Sequence, residues 1–239
     1  MSGNFKLSYK VDLTLCIDCT ESMDNILNIV KQRALSFYDD IYATMSAKGK
    51  QIDQLRVRVV AFRDYLAFDD EVQRKVMPNV PMQVTDFFTL PQEAHKLEVS
   101  VKSLIPMGGG DVPEDGLEAL AYAIQSYWNA DATKNRHVIV LWTDAAPHAL
   151  GTCAGASRYP RGMARNMEEL TRWWGDNYCP GFMPLQAAKR LILFAPDEGD
   201  WSYISRNWDN VIHYPSRAGD GLREIDYETI LGSIAQTLA

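Results

Sequence analysis

The chain has 239 residues, 46% of them hydrophobic and 23% charged, with a formal net charge of −7. That is enough apolar material for one sizeable core, and ordinary Gly and Pro counts exclude collagen-like and disordered chains. The acidic balance excludes a general nucleic-acid binder, which needs a basic face to displace counterions, and a polybasic attachment to anionic lipid.

In chain order, residues 11–17 carry apolar side chains at odd positions, which predicts a strand ending at Asp18. Met23, Ile26, Leu27, Val30, Ala34, Phe37 and Ile41 then recur every three or four residues and predict one long helix to about Met45, stopped near Gly49. Residues 55–62 alternate β-branched side chains and predict the second strand. Residues 66–84, with Pro78 and Pro81, read as an irregular loop, and 84–90 as a short edge strand. Pro91 stands at the favoured first position of a helix running to about Leu104. After the glycine loop 106–113, Leu117, Leu120, Ala121, Ile124 and Trp128 mark an amphipathic helix. Residues 137–142 are almost continuously apolar, as in a parallel strand buried on both faces. The segment 148–186 is rich in Gly and Pro and carries one helix at about 163–174. A strand at 190–195, a short helix at 201–208, a strand at 211–214 and a closing helix at 227–238 complete the chain.

This alternation predicts a single α/β domain over 1–239 with an insertion at about 148–186. The sheet is expected to be doubly wound and mostly parallel, with helices on both faces and one short antiparallel edge strand. No apolar run approaches the ~20 residues that span a bilayer. No apolar signal-peptide core follows the first residues, so the expected location is cytoplasmic. Cys16, Cys19, Cys153 and Cys179 are too sparse for a disulfide scaffold and fit a reducing compartment. Cys16 and Cys19 lack the second pair that a zinc site of that spacing needs, and read as one strand and one loop cysteine.

Ligands on such sheets bind at the carboxyl ends of the strands, so the residues just after each strand matter most. After the first strand, Asp18, Thr20 and Ser22 set a carboxylate and two hydroxyls over five residues. In a strand-to-helix turn this aims three oxygens at one point, which suits a hard divalent cation such as Mg²⁺. A helix N-cap accounts for Thr20 or Ser22 taken alone. Asp144 follows the third strong strand, and Asp111 lies in the glycine loop. Carboxylates gathered from three loops at one edge repel one another unless a cation joins them. Arg63-Asp64 reads as a side contact to this site or as a local ion pair, and His148 as an exposed turn residue or a ligand. Trp173 and Trp174 read as core or as a binding surface, and Glu114-Asp115 as a helix start favoured by the dipole.

Asp18-x-Thr20-x-Ser22, the loop Gly108-Gly109-Gly110-Asp111 and a strand ending in Thr143-Asp144 resemble a von Willebrand factor type A (vWA) domain over about residues 9–150. The first run is similar to its metal-ion-dependent adhesion site, with Thr20 in place of the first Ser. Phe62-Arg63-Asp64-Tyr65, the run from Gly108 to Asp115, and Thr143 to His148 resemble the branch found with alpha-kinases, although no kinase domain is present. The resemblance implies a Rossmann-like fold, no enzymatic activity, and a divalent cation held by Asp18, Thr20, Ser22, Asp111 and Asp144. Mg²⁺ is expected, with Mn²⁺ or Ca²⁺ as alternatives. The family's remote Thr ligand falls on Gly110, so Asp111 is expected to substitute. The implied partner is a protein that offers an acidic side chain to the metal, with binding coupled to a shift of the last helix. In the insertion, Arg158, Tyr159 and Arg161 are candidates for one wall of the partner site; a lid packed by Trp173 and Trp174 is the alternative. The other functional reading is a Mg²⁺-dependent phosphohydrolase of the haloacid dehalogenase type, drawing on Lys189, Asp197 and Glu198.

Overall fold

The computed structural model describes residues 8–34, 36–69, 71–76, 81–108 and 113–238. β1 (Tyr9–Asp18) is central, paired in parallel with β2 (Gln54–Phe62) on one side and β5 (Lys134–Trp142) on the other. β6 (Lys189–Pro196) and β7 (Val211–Ser216) extend the parallel run beyond β5. β3 (Gln83–Val84) and β4 (Phe88–Leu90) both pair antiparallel with β2, so the expected single edge strand is two. Thr85 makes the break, because its Oγ1 accepts the Val59 N–H at 3.0 Å where a backbone carbonyl would otherwise serve. The result is an α/β fold with a mostly parallel sheet, compatible with a Rossmann-like architecture.

The period-two pattern of β1 divides the core. Leu13, Leu15 and Ile17 join Val57, Val140 and Phe194 under α1 (Asp24–Arg33), α2 (Phe37–Ala47), α4 (Ala94–Lys102) and α8 (Tyr227–Leu238). Cys16 joins Val60, Ile139, Leu141 and Leu193 on the other face, under α5 (Gly116–Ile124), α6 (Met167–Trp174) and α7 (Gly199–Asn207). A further short helix, α3 (Glu71–Val76), lies in the loop after β2.

Four helix boundaries differ from the sequence reading. The long helix is two, separated at 34–36, where the Ser36 hydroxyl donates to the Arg33 carbonyl and competes with the helix ladder. The stop at Gly49 stands: Lys50 N–H reaches Met45 O and Gly49 N–H reaches Ser46 O, with Gly49 at φ +67°. α4 starts at Ala94 rather than Pro91, because Glu93 folds back on Thr89 through two 2.8 Å bonds and holds 91–93 as a turn. α6 starts at Met167, where Asn166 caps the Glu169 N–H at 2.9 Å. α5 ends at Ile124, before Trp128, yet Trp128 still docks in the core and donates Nε1–H to Ile124 O at 3.1 Å. No described helix is long and apolar enough to cross a membrane.

Candidate metal centre

The chain leaves β1 toward β2 on one side and later returns to β5 on the other, so the crevice between β1 and β5 is the switch point of the sheet. Asp18 and Asp144 sit at that crevice, one closing β1 and the other two residues past β5. Asp18 is fully buried. Its Oδ1 accepts from Thr20 N at 2.9 Å and Thr20 Oγ1 at 2.6 Å, and its Oδ2 from Thr143 Oγ1 at 2.7 Å. Thr20 Oγ1 stands 3.4 Å from Ser22 Oγ, which donates to Asp144 Oδ1 at 2.8 Å. Four side-chain oxygens thus form one unbroken chain from Asp18 to Asp144. The sequence-predicted residues Asp18, Thr20, Ser22 and Asp144 are together, and Asp111 lies outside the described residues.

The neighbouring backbone fixes this cluster from two sides. Met107 N–H donates to Cys19 O at 3.0 Å and Glu21 N–H to Gly108 O at 3.3 Å, so the start of the glycine loop lies against the Asp18 turn. From the loop before α8, Gly221 N–H donates to Asp144 Oδ2 at 2.7 Å and Gly219 N–H to Asp144 O at 2.8 Å. Gly221 has φ +61°, and a Cβ there would stand 2.1 Å from Ser22 O, so the approach needs glycine. Thr143 and these two glycines were not among the expected site residues. Thr143 was visible beside Asp144, whereas the glycines, some 75 positions further along the chain, leave no local signal.

Burial pushes the Asp18 carboxyl up to about 6, with the Thr20 and Thr143 hydrogen bonds opposing and the Asp144 charge adding to the rise. Ser22 is exposed while Asp18, Thr20 and Asp144 are buried, so the cluster opens to solvent on one side. An all-oxygen donor set with two repelling carboxylates and two hydroxyls fits a hard cation such as Mg²⁺, and Asp18, Thr20, Ser22 and Asp144 are the residues that would hold it.

The remaining candidates separate. Arg63 and Asp64 do not pair. The buried Arg63 donates to the Ile105 carbonyl, and its Nε and Nη1 have no partner among the described residues. Burial lowers its pKa, opposed by the nearby Cys19, Asp18 and Glu114. Asp64 accepts instead from Leu66 N at 2.7 Å. His148 is not an exposed turn residue, and it faces Asp115 at 3.1 Å rather than the oxygen cluster. Trp173 and Trp174 are both buried, and Trp174 stacks on Trp208 at 5.3 Å. Arg158 donates to the Phe68 carbonyl and Tyr159 to Glu118 Oε1, which leaves Arg161 as the exposed member of that trio.

No protein-family model and no curated protein matches the chain. Among solved structures, it is similar to the crystal structure of the pilus adhesin SpaC from Lactobacillus rhamnosus GG, with 11% identity and a TM-score of 0.51 over 98% of this chain. The open conformation of that adhesin gives 14% identity and a TM-score of 0.50 over 98% of this chain. This chain spans about a third of the adhesin's length, 31% and 30% in the two structures. Proximal thread matrix protein 1 from the mussel byssus gives 12% identity and a TM-score of 0.44, covering 97% of this chain and 49% of its own. The adhesin comparison shows a shared fold and nothing finer.

Proposed function

We propose that this chain is a divalent-cation-dependent protein-binding module of the vWA type. The observation that carries the reading is the chain of oxygens Asp18–Thr20–Ser22–Asp144 at the switch point, open to solvent at Ser22. When bound, Mg²⁺ would supply a positive charge that an acidic side chain of a partner can meet. Asp18 and Asp144 would neutralise the ion, while the Thr20 and Ser22 hydroxyls turn their lone pairs toward it. Thr143 and the Gly221 N–H keep the two carboxylates in place. The role of Asp111 as an added ligand, the shift of α8 on binding and a cytoplasmic setting belong to the same reading.

Of the residues the phosphohydrolase reading draws on, Lys189 lies apart from Asp18. Lys189 begins β6, at the opposite edge of the parallel sheet from Asp18. Its Nζ donates to Trp174 O and Gly175 O, each at 2.6 Å. Asp197 is held by Arg206 at 3.1 Å and by Ser202.

Two measurements test the proposal together. Wild-type chain should retain a set of proteins from a lysate in Mg²⁺, release it on chelation, and lose it in Asp18→Ala. The same generic phosphatase substrates should be untouched by both chains. Retention that survives both chelation and Asp18→Ala, or Mg²⁺-dependent phosphate release, would overturn it.

A further inference from the structure

A second group of ligand-bearing side chains lies behind the end of β2, on the side of Asp64 rather than Arg63. Asp64 follows β2, Asp115 precedes α5, and His148 and Cys153 lie in the segment after β5. One ligand atom from each lies within 4.8 Å of the other three. His148 Nδ1 is 3.1 Å from Asp115 Oδ1 and 3.9 Å from Cys153 Sγ, and Cys153 Sγ is 3.7 Å from Asp64 Oδ1. Asp64, Asp115 and Cys153 are buried, and the His148 side chain is 11% exposed.

The frame around them is already built. Glu114 N–H donates to Ala146 O at 3.1 Å and His148 N–H to Glu114 O at 2.9 Å, which ties the loop after β5 to the start of α5. Tyr65 N–H holds Asp115 Oδ2 at 2.6 Å and leaves Oδ1 to face His148, as the outer partner of a metal ligand does; Leu66 N–H orients Asp64 through Oδ1 at 2.7 Å, the oxygen that also faces Cys153.

The charge at this place is out of balance. Glu118 lies one turn along α5 from Asp115 and is fully buried. Its Oε1 accepts from Tyr159 at 2.8 Å and Gly151 N at 3.4 Å, while its Oε2 is buried with no partner among the described residues. None of Asp64, Asp115 and Glu118 is paired with a Lys or Arg among the described residues; His148 is the one basic group in contact. Buried carboxylates left without a cation are costly.

We propose that Asp64, Asp115, His148 and Cys153 are the four ligands of a structural zinc ion that pins the segment after β5 to the edge of the sheet. One thiolate, one imidazole and two carboxylates make a borderline-soft set, which suits Zn²⁺ and not Mg²⁺ or Ca²⁺. Binding breaks the Cys153 S–H bond, releases its proton to water, forms the Zn–S bond and uses the Nδ1 lone pair of neutral His148; no electron is transferred. Bond lengths of about 2.0–2.3 Å set tetrahedral ligands roughly 3.5 Å apart, so the widest pairs of the present 4.8 Å spread draw in by about 1.3 Å. The proposal is independent of the Asp18 centre.

The test uses the full chain carrying Cys179→Ser, which removes the exposed thiol. It should retain about one zinc per chain after dialysis, measured by mass spectrometry of the metal. Cobalt in its place should show the intense near-ultraviolet band of a cobalt–thiolate bond. Both signals should vanish in Cys153→Ser and in His148→Ala and persist in Asp18→Ala. Zinc retained equally by Cys153→Ser, no zinc retained at all, or cobalt bound without a thiolate band would overturn the proposal. If the variants fail to fold, the cobalt spectrum of the parent chain decides alone.

Discussion

The two acidic clusters at the carboxyl edge of the sheet are built in opposite ways. The Asp18 cluster draws three of its four oxygens from one five-residue turn, and is open to solvent through Ser22. The Asp64 cluster draws its four groups from three separate places in the chain, and three of its members are closed off from water. An open turn of hydroxyls and carboxylates suits a cation that keeps waters and takes a further ligand. A closed set containing sulfur and imidazole suits a cation that holds the fold together. One edge of the sheet therefore offers two different chemistries, and the segment after β5 belongs to the second.

The largest effect that could break this division is loss of an anchor of the segment after β5. Trp174→Ala removes a fully buried indole stacked on Trp208 and should cost about 3–5 kcal/mol of stability in chemical denaturation. Mg²⁺ affinity should be unchanged under conditions where the variant remains folded. A parallel fall in Mg²⁺ affinity would mean that the Asp18 turn depends on the segment around α6 after all.

Next in size is a pH effect specific to the first cluster. The folded chain holds the Asp18 proton up to about pH 6, whereas the unfolded chain loses it near its ordinary value of 3.8. Between those values the folded state binds more protons, so this group's contribution to metal-free stability falls as pH rises through that window and stays low above it. Asp18→Asn should therefore raise metal-free stability at pH 7.5, by on the order of 1–3 kcal/mol, while removing any rise in melting temperature on adding Mg²⁺. Thermal melts at pH 4 and 7.5, with and without Mg²⁺, check both parts. A variant less stable than wild type at pH 7.5 without metal would contradict the buried-charge account.

Smaller still is Ser22→Ala. The hydroxyl is exposed and makes a 2.8 Å bond to Asp144, so stability should move by less than about 1 kcal/mol. Mg²⁺ affinity should fall roughly tenfold, about 1.4 kcal/mol, because one of few protein ligands is gone. Calorimetry and a denaturation curve on the same sample separate the two. The smallest expected effect is Arg161→Ala, within about 0.5 kcal/mol of wild-type stability because the side chain is exposed. Reduced retention of the lysate proteins by that variant would assign Arg161 to the partner surface.

The same contrast governs what the sequence made legible. The Asp18 turn is local, so its oxygens appear as a spacing, and Asp144 appears as a strand end. The elements fixed by a clear period, β1, β2, β5 and α8, fall within a few residues of expectation. The break between α1 and α2 was hidden because Ala34, Phe37 and Ile41 keep helical spacing across it and all bury into the same face. The Asp64 cluster was hidden for a different reason. Asp64, Asp115 and the His148–Cys153 pair are separated by long intervals, and Cys153 lies in a stretch without period, so they meet through tertiary contacts such as the pairing of Glu114 with Pro147 and the Tyr65 N–H on Asp115. His148 faces Asp115 and not the Asp18 oxygens, which its position four residues after Asp144 does not show.

The most direct measurement is isothermal titration of Mg²⁺ into the metal-free chain, wild type beside Asp18→Ala and Cys153→Ser, with circular dichroism to show that each is folded. The account predicts a single Mg²⁺ event in wild type, the same event in Cys153→Ser, and none in Asp18→Ala. Equal Mg²⁺ affinity in wild type and Asp18→Ala would contradict it.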